Sequence, residues 1–218
     1  MKNRVLQDKD KAIPLMISVH GEIVVIAGGG KVAAKRARTL RNYGAMVTIV
    51  SPEICPELYQ MWNLSEVDWK SKCYEQADSE KAFMVVAATD NPSVNAEVAE
   101  TSSDNLLFND TADARRGNVQ FPANVTRGDL TITVSTNGAS PMLASKIKKD
   151  LEEQFDEDYE QYVDFLSDCR QLIKHSGFPK AKQKQLLREL LHSDYFNYER
   201  QQQTINWLKH LCQERGRT

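Results

Sequence analysis

A short glycine-rich segment constrains the fold of this chain more than any other stretch. Residues 23–27 form an apolar, β-branched run that predicts an interior parallel strand, and small residues at helical spacing follow it. Between them, Gly28-x-Gly30-x-x-Ala33 fits the dinucleotide-binding fingerprint, in which glycines permit a tight turn and let pyrophosphate approach the backbone. Residues 22–37 therefore predict a strand, a turn and a helix whose amino terminus binds a nucleotide.

The next strand is predicted over residues 46–50 and completes a β-α-β unit. Such a unit normally ends in an acidic residue that holds the ribose hydroxyls of the adenosine, but here Ser51, Pro52 and Glu53 follow the strand. Glu53 either reaches the ribose from the loop or lies in the first turn of a helix over residues 53–63. No arginine follows the strand to bind a 2′-phosphate, which favours NAD over NADP as the cofactor.

A third buried strand, residues 82–88, ends at the same predicted sheet edge as the glycine turn. Thr89 and Asp90 either face the cofactor there or serve only to cap a helix that begins at Pro92; Asp90 and Asn91 are the candidate caps. The residues predicted to bind the cofactor are Gly28, Gly29, Gly30, Lys31, Val32, Ser51, Pro52, Glu53, Ala88, Thr89 and Asp90.

A short, weak strand is also predicted over residues 67–70, and the organisation of the chain changes after the fifth strand of the sheet, at residues 105–108. Residues 117–125 and 130–136 alternate and predict a β-hairpin, and helical patterns follow to the end; residues 12–19 predict a short strand before the glycine turn. The fold class is therefore α/β, a Rossmann-like parallel sheet followed by a β-hairpin dimerisation region and a small helical domain. The predicted boundaries are 1–114 for the NAD-binding domain, 115–150 for the dimerisation region and 151–218 for the helical domain.

Composition excludes several classes of protein. A net charge of -2 argues against a nucleic-acid binder, which needs a basic excess for phosphate contacts. The sequence has no apolar run long enough for a membrane span and a polar amino terminus, so we expect a cytoplasmic protein without a membrane partner. The four cysteines have no paired short spacing, which favours reduced structural thiols over a disulfide framework or a zinc site.

Four segments, taken together, give the chain a specific resemblance. They are Val-Ile-Ala-Gly-Gly-Gly-Lys-Val-Ala at 25–33, Val-Ala-Ala-Thr-Asp-Asn-Pro-Ser-Val-Asn at 86–95, Phe-Pro-Ala-Asn-Val-Thr-Arg-Gly-Asp-Leu at 121–130 and Val-Ser-Thr-Asn-Gly-Ala-Ser-Pro at 134–141. Over residues 12–165 the chain resembles the precorrin-2 dehydrogenase family. The resemblance implies oxidation of the tetrapyrrole precorrin-2 to sirohydrochlorin with NAD, a step towards siroheme, in a homodimer.

The implied chemistry makes its own demands. Removing hydride from a macrocycle requires oxidised nicotinamide and a group or water that accepts a proton. Because the substrate is a polycarboxylate, cations should surround its site, although each cation could equally serve surface solubility. The cations near the predicted junction are Arg115, Arg116, Arg127, Lys146, Lys148 and Lys149.

Two positions depart from the pattern of the family. The family usually has aspartate three residues after Asn109, where this chain has Ala112, so that Asp113 or Asp110 is the candidate catalytic carboxylate. Thr136 stands where related modules have a serine that lines the tetrapyrrole site, so it either contacts the substrate or faces the hairpin. The residues predicted to bind the substrate are Asn109, Arg115, Arg116, Thr136 and Lys146.

Two other functions remain open from the sequence. Some members of the family also insert iron into sirohydrochlorin, but the four histidines are dispersed and no metal site is predicted. A non-enzymatic, NAD-responsive binding module is the other alternative. Such a module would not require the basic cluster or the hairpin.

Overall fold

A computed structural model describes residues 12–101, 107–113 and 116–215 of the 218-residue chain. The chain divides into two compact units, Met1–Phe121 and Pro122–Thr218. Within the described residues, no helix combines the length and the apolar composition that crossing a bilayer requires.

The first unit contains a five-stranded parallel sheet with strand order β3-β2-β1-β4-β5. The strands are β1 Ile23–Ala27, β2 Met46–Val50, β3 Asp68–Lys70, β4 Met84–Ala87 and β5 Leu107–Asp110. The helices are α1 Lys31–Asn42, α2 Pro56–Asn63 and α3 Pro92–Thr101. The order of the strands reverses beside β1, which places a crevice at the carboxyl ends of β1 and β4, where ligands of open α/β sheets bind.

The central strands are apolar because both faces of the sheet are covered. Val24 and Ile26 pack in one core cluster and Val25 and Ala27 in the other, and at most 2% of any of these side chains is exposed. Alanines on the buried face of α1 pack in the first of these clusters, so the helix lies close against the sheet. The predicted parallel sheet and its glycine turn are confirmed.

The second unit begins with an antiparallel hairpin and continues as helices. Its elements are β6 Ala123–Arg127, β7 Leu130–Val134, α4 Pro141–Gln154, α5 Asp158–His175, α6 Lys180–Glu189 and α7 Tyr198–Arg215. Gly128, with φ +53°, and Asp129 form the two-residue turn. The predicted order of hairpin and helices is confirmed, while the domain boundaries at residues 114 and 150 stay predictions.

The helical part of the second unit has a core of its own. Tyr162, Phe165, Cys169 and Ile173 from α5 pack against buried side chains of α6 and α7, and the Tyr162 hydroxyl donates to the Leu190 carbonyl over 2.8 Å. Burial raises the pKa of the Cys169 thiol to about 12, so this thiol stays protonated and unreactive at neutral pH.

Two predicted strand positions were wrong. Residues 12–19 form no strand: Ile13, Leu15 and Met16 are mostly exposed, and only Val19 at the end of the segment joins the core. Residues 117–121 likewise form no part of the hairpin, because they fold back on β5 instead. Apolar alternation alone cannot specify a strand that lacks a neighbour to pair with.

Candidate cofactor and substrate site

The first two glycines of the turn are required by their close neighbours. Gly28 has φ +127°, and a Cβ atom there would overlap the carbonyl oxygen of Ala88 at the end of β4. A Cβ atom on Gly29 would overlap the carbonyl oxygen of Glu53, and the Gly29 carbonyl accepts from the amide of Cys55 over 2.8 Å. Because these two glycines have no side chains, the carboxyl ends of β1, β2 and β4 can approach one another closely.

Gly30 is different, because its missing side chain leaves open space. Its φ is -86°, and a Cβ atom there would meet no described atom within 4 Å. Gly30 is the N-cap of α1, whose first turn has no acidic residue, and no side-chain hydrogen bond caps this end of the helix. The next two residues, Lys31 and Val32, are exposed. This opening, with the first amides of a helix at its base, fits the pyrophosphate of a dinucleotide.

The loop after β2 is anchored at the same edge of the sheet. The indole nitrogen of Trp69 donates to the carbonyl of Ser51 over 2.9 Å, and the Ser71 hydroxyl donates to the carbonyl of Pro52 over 3.0 Å. Because α2 begins at Pro56, Glu53 lies in the loop, and its placement in the first turn of a helix is wrong. The contact of Glu53 with a ribose remains a prediction.

The end of β4 is held by residues of α3. The Asn91 side chain accepts from the amide of Ser93 over 2.9 Å, so Asn91 caps the helix, whereas Asp90 is exposed. The Thr89 hydroxyl lies 2.7 Å from the side-chain oxygen of Asn95, which is 1% exposed. Sequence reasoning missed Asn95: its spacing from Val98 places both residues on one face of the helix, but the spacing does not indicate the contact with Thr89.

A carboxylate shapes the loop after β5. Asp110 is 2% exposed, and its Oδ1 accepts from the amides of Ala112 and Asp113 over 2.8 and 3.0 Å. Its Oδ2 lies 3.3 Å from Nε of Arg116, which is an ion-pair distance without hydrogen-bond geometry. Oδ2 of Asp113 lies 3.8 Å from the same nitrogen, and 28% of the Asp113 side chain is exposed. Asp110 thus holds the loop, and Asp113 is more accessible.

The chain returns along β5 immediately after this loop. The Asn109 amide nitrogen donates to the carbonyl of Val119 over 2.8 Å, and the amide of Phe108 donates to the Asn118 side chain over 2.7 Å. A Cβ atom on Gly117 would lie 2.6 Å from the carbonyl oxygen of Phe108. Asn109, which is 4% exposed, therefore ties this return segment to the strand.

The remaining predicted substrate residues lie in the second unit or outside the described residues. The Thr136 hydroxyl accepts from the amide of Ser140 over 3.0 Å and so supports the turn into α4, on which Lys146 is exposed. Arg127 donates to the backbone carbonyls of Asp156 and Thr126, so it holds the hairpin near the end of α4. Arg115 lies outside the described residues.

The structure therefore places the predicted cofactor residues and four of the other predicted site residues in two groups of the first unit. The cofactor set lies at the carboxyl ends of β1, β2 and β4, and Asn109, Asp110, Asp113 and Arg116 lie at the end of the adjacent β5. Within the described part of the chain, no cluster of three or more histidine, cysteine, aspartate or glutamate side chains is arranged to hold a metal ion.

Replacing Gly28 with Ala is expected to lower the free energy of unfolding by about 2 kcal/mol or more, because the new Cβ adds strain at positive φ and overlaps Ala88. Gly30→Ala is the matched control: it adds the same methyl group in open space, so its cost should stay below about 1 kcal/mol. Chemical denaturation of both variants measures the difference. Equal unfolding free energies would contradict the close approach of the two strand ends.

Comparison with known proteins gives matches to three family models, which cover successive segments of the chain. A family model described as "Putative NAD(P)-binding" matches residues 15–123, one described as "Sirohaem biosynthesis protein central" matches 127–154, and one described as "SirC C-terminal domain" matches 159–205. The precorrin-2 dehydrogenase of Priestia megaterium is 34% identical over 181 residues, which cover 83% of this chain and 90% of that protein.

The precorrin-2 dehydrogenase of Bacillus subtilis (strain 168) is 40% identical over 158 residues, which cover 72% of this chain and 98% of that protein. A solved structure described as SirC, precorrin-2 dehydrogenase, superposes with a TM-score of 0.80 at 32% identity. This superposition covers 91% of the chain and 99% of the solved one.

Proposed function

The chain belongs to the precorrin-2 dehydrogenase family, and from this membership we propose that it oxidises precorrin-2 to sirohydrochlorin with NAD as hydride acceptor, a step of siroheme biosynthesis. The observation that carries the proposal is the open glycine turn at the start of α1, which β4 separates from two carboxylates, Asp110 at the end of β5 and Asp113 in the loop after it. The first feature suits the cofactor, and the second suits proton handling.

NAD, when bound, supplies an acceptor for a hydride, that is, for two electrons and one proton. The residues proposed to hold it are Gly28, Gly29, Gly30, Lys31 and Val32 at the turn, Ser51, Pro52 and Glu53 after β2, and Ala88, Thr89 and Asp90 after β4. The second proton that precorrin-2 loses must pass to a protein group or to water.

We assign the proton-handling or substrate-orienting role to Asp113. Its side chain is 28% exposed, whereas no part of the Asp110 side chain is exposed, and the amide of Asp113 donates to Asp110. Asp110 therefore positions the loop, and Asp113 offers a carboxylate to the solvent side. This assignment agrees with the departure at Ala112, because the neighbouring position supplies the carboxylate instead.

The carboxylates of precorrin-2 require cations and hydrogen-bond donors. We propose Arg116 as the cation of the β5 loop: 37% of its side chain is exposed while its Nε stays near Asp110 and Asp113. Arg115, Thr136, Lys146 and Asn109 complete the proposed substrate set.

Anaerobic spectroscopy tests the proposed reaction. Precorrin-2 mixed with the protein and NAD should give the sirohydrochlorin spectrum and one NADH per product, and omission of NAD should give neither. A protein that binds NAD but forms no product would be an NAD-responsive module and would contradict the proposal. Addition of ferrous or cobaltous ion after oxidation tests separately for chelation.

We also propose that the enzyme is a homodimer formed through its hairpin and α4. No residue of α4 is buried, Met142 is 85% exposed, and on the hairpin only Val125 is buried. Ile132 and Ile147 are only partly covered, so these apolar faces need a further layer. Sedimentation at micromolar concentration should give twice the mass of the chain, and a monomer under these conditions would contradict this arrangement.

We place the enzyme in the cytoplasm, where NAD is available to it. All four cysteines are free in the structure, and reduced thiols persist in that compartment.

A further inference from the structure

One buried side chain of α3 fixes the end of β4. The amide nitrogen of Asn95 donates to the Thr89 carbonyl over 3.0 Å, and its oxygen accepts from the Thr89 amide over 3.2 Å. The same oxygen lies 2.7 Å from the Thr89 hydroxyl. Asn95 thus pairs with both backbone groups of one residue, as a neighbouring strand would, and it is 1% exposed.

This pairing acts on the peptide group that contacts the glycine turn. The amide of Thr89 and the carbonyl of Ala88 belong to the same planar peptide, so fixing the N–H also fixes the direction of the C=O. That carbonyl oxygen would overlap a Cβ atom on Gly28, and the Ala88 amide donates to the carbonyl of Ala27 over 2.8 Å. The orientation of this peptide therefore sets how closely the ends of β1 and β4 approach each other.

We propose that Asn95 is a positioning residue for NAD. It contacts no cofactor itself; instead it holds the Ala88–Thr89 peptide in the orientation that keeps the glycine turn and the end of β4 at the separation a dinucleotide needs. This inference rests on the proposed function, because it assumes that NAD binds at this turn. The local geometry of Asn95 is independent of that assumption.

The two hydrogen-bonding roles of the amide suggest a specific test. An aspartate at this position keeps the acceptor for the Thr89 amide, but when ionised it presents a negative oxygen to the Thr89 carbonyl in place of a donor. When protonated, it can donate to that carbonyl and restore all the contacts. Burial disfavours the charged form and raises the pKa of such a carboxyl group above its ordinary value. Stability from the restored contacts is therefore present at low pH and lost as pH rises through the raised pKa.

The dissociation constant of NAD should be measured for the parent and for Asn95→Asp across the pH range in which the folded parent is stable. We expect the variant to approach the affinity of the parent at the acid end and to bind about tenfold more weakly, or worse, at the alkaline end. Asp90 is present in both proteins, so its charge cancels in the ratio. Asn95→Leu, which can neither donate nor accept, should bind weakly at every pH.

Ser93→Asp is the matched control, because it adds the same charge to an exposed position of α3. Its effect on NAD affinity should be constant across neutral and alkaline pH, since an exposed carboxyl group is already ionised there. If Asn95→Asp and the parent have the same affinity at all pH values, Asn95 is not a positioning residue. If the parent binds no NAD, both the proposed function and this inference are overturned. If the parent binds NAD and oxidises precorrin-2, and Asn95→Asp has the NAD affinity of the parent at every pH, only the inference is overturned.

Discussion

Asp113→Asn is expected to slow the oxidation of precorrin-2 by about a hundredfold or more, because it removes the more accessible carboxylate of the β5 loop and with it the general acid–base help. The amide has nearly the same shape, and the backbone amide of Asp113 still donates to Asp110. Folding and NAD affinity should therefore remain close to those of the parent. Single-turnover rates under anaerobic conditions, together with NAD binding, measure both quantities.

Asp110→Asn is the matched comparison, at the end of the strand that precedes this loop. The new side chain keeps an acceptor for the amides of Ala112 and Asp113, but it removes the negative charge 3.3 Å from Nε of Arg116. We expect a lower free energy of unfolding and a smaller loss of rate than at Asp113. A loss of rate confined to Asp110 would transfer the catalytic role to that residue, and full rates in both variants would leave water or a substrate carboxylate as the proton acceptor.

The sequence predicted those parts of the site that depend on local backbone demands. Gly28 and Gly30 could be recognised because a strand, a tight turn and a helix follow one another within a short segment. The distinction between them could not be predicted. Gly28 must lack a side chain because the end of β4, more than 50 residues later, lies against it, whereas a side chain on Gly30 would enter open space. This difference becomes visible only in the assembled sheet.

The parts that the sequence did not predict depend on contacts between distant residues. No sequence motif indicates that Asn95 pairs with Thr89. The different roles of Asp110 and Asp113 follow from the burial of their side chains and not from their spacing in the sequence. The predicted fifth strand ended two residues too early, so Asn109 and Asp110 were expected in a loop, whereas they form the end of β5; residues 105 and 106 of that prediction lie outside the described residues. Both residues pair with β4, Asn109 with Val86 and Asp110 with Ala87, and this pairing between distant residues carries the strand to Asp110.

Arg127 shows the same limit for charged residues. In the sequence it belongs to a cluster of cations near the predicted junction, and each member suits a polycarboxylate equally well. In the structure its guanidinium donates to three backbone carbonyls, those of Glu152 on α4, Asp156 just after that helix and Thr126 on the hairpin. Charge alone identified the candidates, but hydrogen-bond partners are needed to separate a structural arginine from one that meets a substrate.

Gly30→Asp is expected to weaken NAD binding by about a hundredfold or more while the protein stays folded. No described atom lies within 4 Å of a Cβ atom at this position, and φ of -86° suits any residue, so the substitution should leave the sheet intact. A carboxylate there would face the pyrophosphate, and two like charges about 4 Å apart repel by about 4 kcal/mol near a protein surface.

Gly30→Asn separates this charge from the size of the side chain, because asparagine fills the same space without the charge, and it should cost much less affinity than aspartate. Calorimetric titration with NAD and denaturation of both variants provide the measurements. Gly28→Ala is expected to lower the stability of the fold, whereas Gly30→Asp is expected to weaken NAD binding alone. Such a result would show that Gly28 serves the packing of the strand ends and that Gly30 serves the binding of the cofactor. A folded Gly30→Asp protein with the NAD affinity of the parent would show that the dinucleotide does not bind at this turn.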